Sequence, residues 1–118
     1  MESETLKATE EYSAAKATHP RVSLADMESK IAEEHYFRAS EALNAINPIA
    51  DYAGVSNPLS ILTICILVME NGFTIIGKSA PASPENFDQE KGRCFAYEDA
   101  IKQLWPLEGY ALREKLSS

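Results

Sequence analysis

Asn71-Gly72 stands between two runs dense in β-branched residues, Ile61 to Met69 before it and Phe73 to Gly77 after it. No other feature limits the fold so strongly. A tight turn between antiparallel strands needs positive φ at its centre, which Asn and Gly supply at least cost. Ile64, Ile66 and Val68 on one side are answered by Thr74, Ile75 and Ile76 on the other, side chains that suit a pleated sheet. The expectation is strand, two-residue type I′ turn, strand. Periodicity alone leaves an apolar run ambiguous, so a helix from Leu59 to Glu70, capped by Gly72, stays open as the rival.

Helical signals flank this block. Ser23 followed by Asp26 approximates a capping box, and the acids at Asp26 and Glu28 favour the positive end of a helix dipole. Leu24, Met27, Ile31 and His35 then fall on one stripe, with Tyr36 and Phe37 following. Ala39 to Ile46 continues or restarts the helix until Asn47-Pro48 stops it. Asp51, Gly54, Ser56 and Asn57 read as a connecting loop. Downstream, Ser83 suits an N-cap and Pro84 the first helical position. Phe87, Cys94, Tyr97, Ile101 and Leu104 form the apolar stripe. Gly92 inside that helix costs about 1 kcal/mol against Ala and marks a close approach, of the hairpin or of a ligand. Trp105-Pro106 is expected to end the helix, with a last short one through Glu108, Tyr110, Leu112 and Leu116.

These pieces predict an α+β domain over residues 21–118, preceded by a flexible acidic arm over 1–20 that carries Glu2, Glu4, Glu10 and Glu11. The predicted order is N-terminal helix, one antiparallel hairpin turning at Asn71-Gly72, and C-terminal helices packed on the hairpin. A chain of 118 residues that is 45% apolar has a core large enough to need no metal or disulfide. Ile61 to Met69 is too short to span a bilayer, and Met1 to Thr5 lacks the start of a signal peptide. No membrane association is expected. The net charge of −7 disfavours bulk nucleic acid, whose phosphates require Lys and Arg. It leaves room for a local basic pocket or a basic protein partner.

Catalytic and metal chemistry find little support. Cys65 and Cys94 read as buried thiols, and with His19 and His35 they lack the spacing of a zinc site. His35 falls on the apolar stripe of its expected helix, where a core role is simpler than a general base. Ser79, Ser83 and Cys94 lack the motif that surrounds an activated nucleophile. Glu85 and Asp88 suit capping and dipole roles. The expectation is a protein that is not an enzyme and carries no cofactor and no metal.

Binding is the better expectation. The loop from Lys78 to Asn86 leads into a helix start, where free N–H groups favour a phosphate or carboxylate. Lys78, Ser83, Asn86, Lys91 and Arg93 supply polar and positive groups nearby. Tyr97, Trp105 and Tyr110 supply stacking surfaces for a nucleotide-like ligand. Trp105 and Tyr110 can equally fill the core, and Arg93 can pair with a neighbouring acid.

Asn71-Gly72-Phe73-Thr74, Gly77-Lys78-Ser79-Ala80, Ser83-Pro84-Glu85-Asn86-Phe87-Asp88, Gly92-Arg93 and Trp105-Pro106-Leu107-Glu108-Gly109-Tyr110 form a series of words in fixed order. Together with Ala25 to Glu34 and His35-Tyr36-Phe37, they resemble a small tailed-phage and prophage family labelled after phage genes forty-nine and sixty-six. The resemblance covers about residues 21 to 116. It departs at Lys78, where similar sequences often carry Glu, which argues against a fixed catalytic role there. The resemblance implies a phage accessory protein acting in the host bacterial cytoplasm, and it transfers no catalytic residue.

Three functions follow as expectations. One is non-catalytic counter-defence, by sequestering a nucleotide-derived immune signal in a homo-oligomer. The second is an acidic module that docks on a host protein. The third is a structural oligomer, in which a second copy extends the sheet or the helices cover one face, since a two-stranded hairpin is marginal alone.

Overall fold

Alternation of buried and outward residues organises the chain around a sheet. The computed structural model describes residues 1–17, 20–48 and 57–118. In order these form helix α1 (Glu4–Lys16), helix α2 (Leu24–Ser29), strand β1 (Ile31–Arg38), helix α3 (Ala39–Ile46), strand β2 (Thr63–Met69), strand β3 (Thr74–Ser79) and helix α4 (Gln89–Ser117). Short 3-10 turns at Pro58–Ile61 and Pro84–Asn86 lead into β2 and α4. His19 and the expected loop residues Asp51, Gly54 and Ser56 lie outside the described residues. The architecture is α+β, with helices packed on a hairpin as the sequence predicts.

The sheet has three antiparallel strands in the order β1-β2-β3. Its first strand corrects the expected helix through His35. Ser23 does cap α2, accepting from the Asp26 N–H at 3.0 Å, but that helix ends at Ser29. The β-branched and aromatic content of Ile31 to Phe37 then wins, because β1 pairs along β2 from Ile31↔Met69 to Arg38↔Thr63. The rival helix over Leu59 to Glu70 does not form beyond the turn at Pro58–Ile61.

The turn also differs from expectation. Gly72 has φ of 88° and no described non-glycine residue has positive φ, so Asn71 does not adopt the type I′ geometry. The Gly72 N–H donates to Met69 O at 2.9 Å and the Met69 N–H to Phe73 O at 2.8 Å. This is a three-residue loop, a turn followed by a left-handed glycine. Asn71 helps differently: its Oδ1 accepts from the Phe73 N–H at 2.9 Å.

One face of the sheet receives α4. Thr63, Cys65, Leu67 and Met69 of β2 point inward, with Ile75 and Gly77 of β3, against Ala96, Tyr97, Ala100, Ile101 and Leu104. Contact is closest at Gly77, where an added Cβ would lie 2.1 Å from Ala96 O. Gly92 marks a close approach of the hairpin, as its sequence position suggested, since a Cβ there would lie 2.7 Å from Thr63 Oγ1. Leu24 and Met27 of α2 close the core on the β1 side, with Leu6 of α1 packed against it.

Two boundaries of α4 correct the sequence reading. Its N-cap is Asp88, which accepts from the Lys91 N–H at 3.1 Å, while Ser83 precedes only a 3-10 turn. The helix then runs through Pro106 to Ser117 without a stop. Pro106 is exposed, so its ring meets no packed neighbour, and the helix tolerates the loss of one backbone donor.

Candidate functional site

The last inward row of the sheet, Arg38, Thr63 and Ser79, lies where β1 leaves for α3 and α4 begins. Among the described residues, three polar atoms are buried here without a hydrogen-bond partner: Arg38 Nε, Ser40 Oγ and Thr63 Oγ1. Arg38 Nε has Glu41 Oε1 only at the looser ion-pair distance of 3.4 Å. Ser40 is 1% exposed and Thr63 2%, so neither hydroxyl reaches bulk solvent. Buried groups of this kind cost free energy and are uncommon in folded proteins. Sequence reasoning missed all three. Thr63 lies far along the chain from Arg38 and Ser40, and only the β1–β2 register brings it beside them.

Charge gathers around this row. The Glu41 carboxyl is held below its usual range, first by accepting from the Arg38 main-chain N–H, then by the Arg38 guanidinium, and further by Arg93. The Arg93 guanidinium lies 6.0 Å from the centre of the Tyr36 ring, within cation–π range. The Tyr36 hydroxyl donates to Glu34 Oε1 at 2.5 Å, and burial with that bond raises its pKa. Beside Tyr36, burial pushes the Cys65 thiol up to about 11. Cys65 is therefore a neutral, inert wall of the core. Cys94 is half-exposed rather than buried as expected, and burial also raises its pKa.

On the other flank, the loop leaving β3 folds against the first turns of α4 and forms a depression of about 200 Å³. Ser79, Asn86, Asp88, Lys91 and the rings of Phe87 and Phe95 line it. Gly92 forms part of its wall, and Thr63 Oγ1 lies directly behind that glycine. A groove of about 590 Å³ follows along α4 and shares Ser79 and Phe95 with the depression. It is bordered by Trp105 and Lys102 of α4 and by Thr5 and Thr9 of α1.

The expected ligand residues therefore divide. Asn86, Lys91 and Arg93 gather around the start of α4, and Trp105 borders the adjoining groove. Lys78 also lines that groove, where its N–H donates to Asp99 Oδ2 at 3.0 Å, while its side chain, alternating with the inward Gly77, leaves on the outer face of the sheet. Ser83 Oγ donates to Glu85. Tyr97 is 1% exposed, and its hydroxyl is taken by Glu28. Tyr110 is 70% exposed, on the half of α4 that follows Pro106. His35 is also not a core residue: it lies exposed on β1, bonded to Glu33 Oε1 at 2.9 Å.

Among the described residues, no group of three or more His, Cys, Asp and Glu side chains is placed to hold a metal ion. No described helix is long and apolar enough to cross a membrane.

The profile of the phage protein (N4 Gp49/phage Sf6 gene 66) family matches residues 22–116, and the chain belongs to that family. The match spans all three strands, the row at Arg38 and almost the whole of α4. Neither a curated protein nor a solved structure matches the chain.

Proposed function

We propose that this phage protein is a non-catalytic accessory protein that binds and sequesters a small, anionic, nucleotide-derived signal in the cytoplasm of the infected bacterium. The observation supporting this reading is the set of partnerless polar atoms at Arg38, Ser40 and Thr63 beside the second guanidinium of Arg93. Guanidinium groups recognise phosphate through paired N–H donors, and hydroxyls complete an anion's shell. In this reading Arg38 and Arg93 hold the charged part of the ligand. Asn86 and Lys91 hold its polar periphery, and Phe87 and Phe95 offer surfaces to a base. The described residues here offer no activated nucleophile, and the cysteine nearest the row, Cys65, has a raised pKa. Capture rather than turnover follows from that chemistry.

A thermal-shift panel tests the proposal with cyclic dinucleotides, ADP-ribose, cyclic ADP-ribose and inorganic phosphate as probes. One organic probe is expected to raise the melting temperature, because a ligand at 100 times its Kd stabilises by about 2.7 kcal/mol. Arg93→Ala and Arg38→Ala are expected to lose that shift while melting cooperatively. An unchanged melting temperature with every probe would overturn the reading.

A further inference from the structure

The outer face of the sheet carries the more apolar side of β2. Ile64, Ile66 and Val68 point away from α4, whereas Thr63 and Cys65 point toward it. Register surrounds that row with Glu33, His35 and Phe37 of β1 and with Thr74, Ile76 and Lys78 of β3. Ile76 is 59% exposed, and no described element packs on this face. A contiguous apolar patch rimmed by charge is the usual mark of an interaction surface.

The edge of the sheet is closed to strand addition at β3. Gln103 Nε2 donates to Ile76 O at 2.7 Å and the Lys78 N–H to Asp99 Oδ2 at 3.0 Å, so side chains of α4 occupy the groups an incoming strand would need. β2 is the central strand and offers no edge. A partner therefore reaches the apolar row of β2 by stacking on the face.

The geometry points to a second copy of this chain as that partner, packed face to face. Glu33 and Lys78 occupy diagonally opposite corners of the nine-residue patch, with Ile66 at its centre. Both charged residues are exposed, and the Lys78 ammonium has no ion-pair partner among the described residues. A two-fold axis lying between two such sheets, at right angles to the Glu33–Lys78 diagonal, brings Glu33 of each copy over Lys78 of the other. It also brings Ile66 over its own copy and Val68 close to Ile76. With strands about 4.8 Å apart and a rise of about 3.4 Å per residue, the strands of the two sheets cross at about 70°, near the orthogonal class of sheet packing. A patch this small falls at the low end of stable interfaces, so the dimer forms at micromolar concentrations rather than nanomolar ones. This inference is independent of the ligand reading.

Sedimentation velocity of the full chain from about 1 to about 300 µM, a range suited to a weak interface, tests it. The expected result is a monomer–dimer equilibrium that Ile76→Glu shifts to monomer. Circular dichroism and an unchanged melting transition confirm that the variant still folds. Glu33→Lys and Lys78→Glu are each expected to be monomeric alone, and to form a mixed dimer when combined, because only the mixture pairs Lys with Glu at both corners. A wild-type chain that stays monomeric throughout would overturn the proposal and leave the face to a different protein. A dimer that survives Ile76→Glu, or a mixture that does not dimerise, would overturn it too.

Discussion

Gly77 decides how closely α4 can approach the sheet. A Cβ there would stand 2.1 Å from Ala96 O, 2.7 Å from Ala100 N and 2.9 Å from Ala100 Cβ, and the first two are backbone atoms that cannot rotate away. Gly77→Ala is therefore expected to destabilise the fold by about 3 kcal/mol or more, measured by urea denaturation. Gly72→Ala meets no neighbour and suffers only from its φ of 88°, so it should cost about 1–2 kcal/mol. The two glycines were not equally legible. Asn71-Gly72 announces a turn through its chemistry, and Gly92 is conspicuous inside a helical pattern. Gly77 reads locally as the end of a β-branched run, and only the packing of α4 reveals why it is small. Arg38, Ser40 and Thr63 were hidden for a related reason. Their neighbourhood depends on β1 being a strand, and Ile31 to Phe37 carries a stripe equally compatible with continuing α2.

Among the elements, α1 shows how a weakly amphipathic helix is retained. No residue of α1 itself is buried, yet polar contacts tie the segment down. Arg21 donates to Glu10 through Nη2 at 2.7 Å and Nη1 at 3.1 Å, and the Ser3 hydroxyl donates to Glu98 at 2.6 Å. The Arg21 hydrogen bond holds the Glu10 carboxyl below its usual value of 4.5. A depressed carboxylate pKa contributes stability that is present above the unfolded value and lost as pH falls through the folded one. Melting temperature followed downward from pH 6 should fall more steeply below about pH 4.5 for the parent than for Glu10→Gln. Equal acid sensitivity of the two would remove this role from the pair. At the other end, Pro106 interrupts the backbone ladder of α4 on an exposed side. Pro106→Ala is expected to stabilise that half of the helix by up to about 3 kcal/mol, seen as slower amide exchange after Lys102. The sequence suggested a helix end at this proline because local chemistry disfavours it there. What it could not show is that α4 continues along the same line beyond the sheet.

As a whole, the molecule is long and thin, 56 × 29 × 17 Å, because α4, about 43 Å at helical rise, outruns the strands it covers. That shape separates the two surfaces proposed to bind. The first is the row at Arg38 with the start of α4, which faces inward and holds the partnerless polar atoms. The second is the outer sheet face, which is apolar and open. The family match spans both, over residues 22–116, and Arg38 and Arg93 both act on the Glu41 carboxyl, a local pairing of cations in a chain of net charge −7. The central claim is that this pairing captures an anionic nucleotide without changing it. The most direct measurement is to bind the probe that shifts the melting temperature, remove excess, denature the protein and identify the released molecule by mass spectrometry. The account predicts intact ligand, released in constant stoichiometry to protein, from the parent and not from Arg93→Ala. Recovery of a chemically altered product, or equal retention by Arg93→Ala, would contradict it.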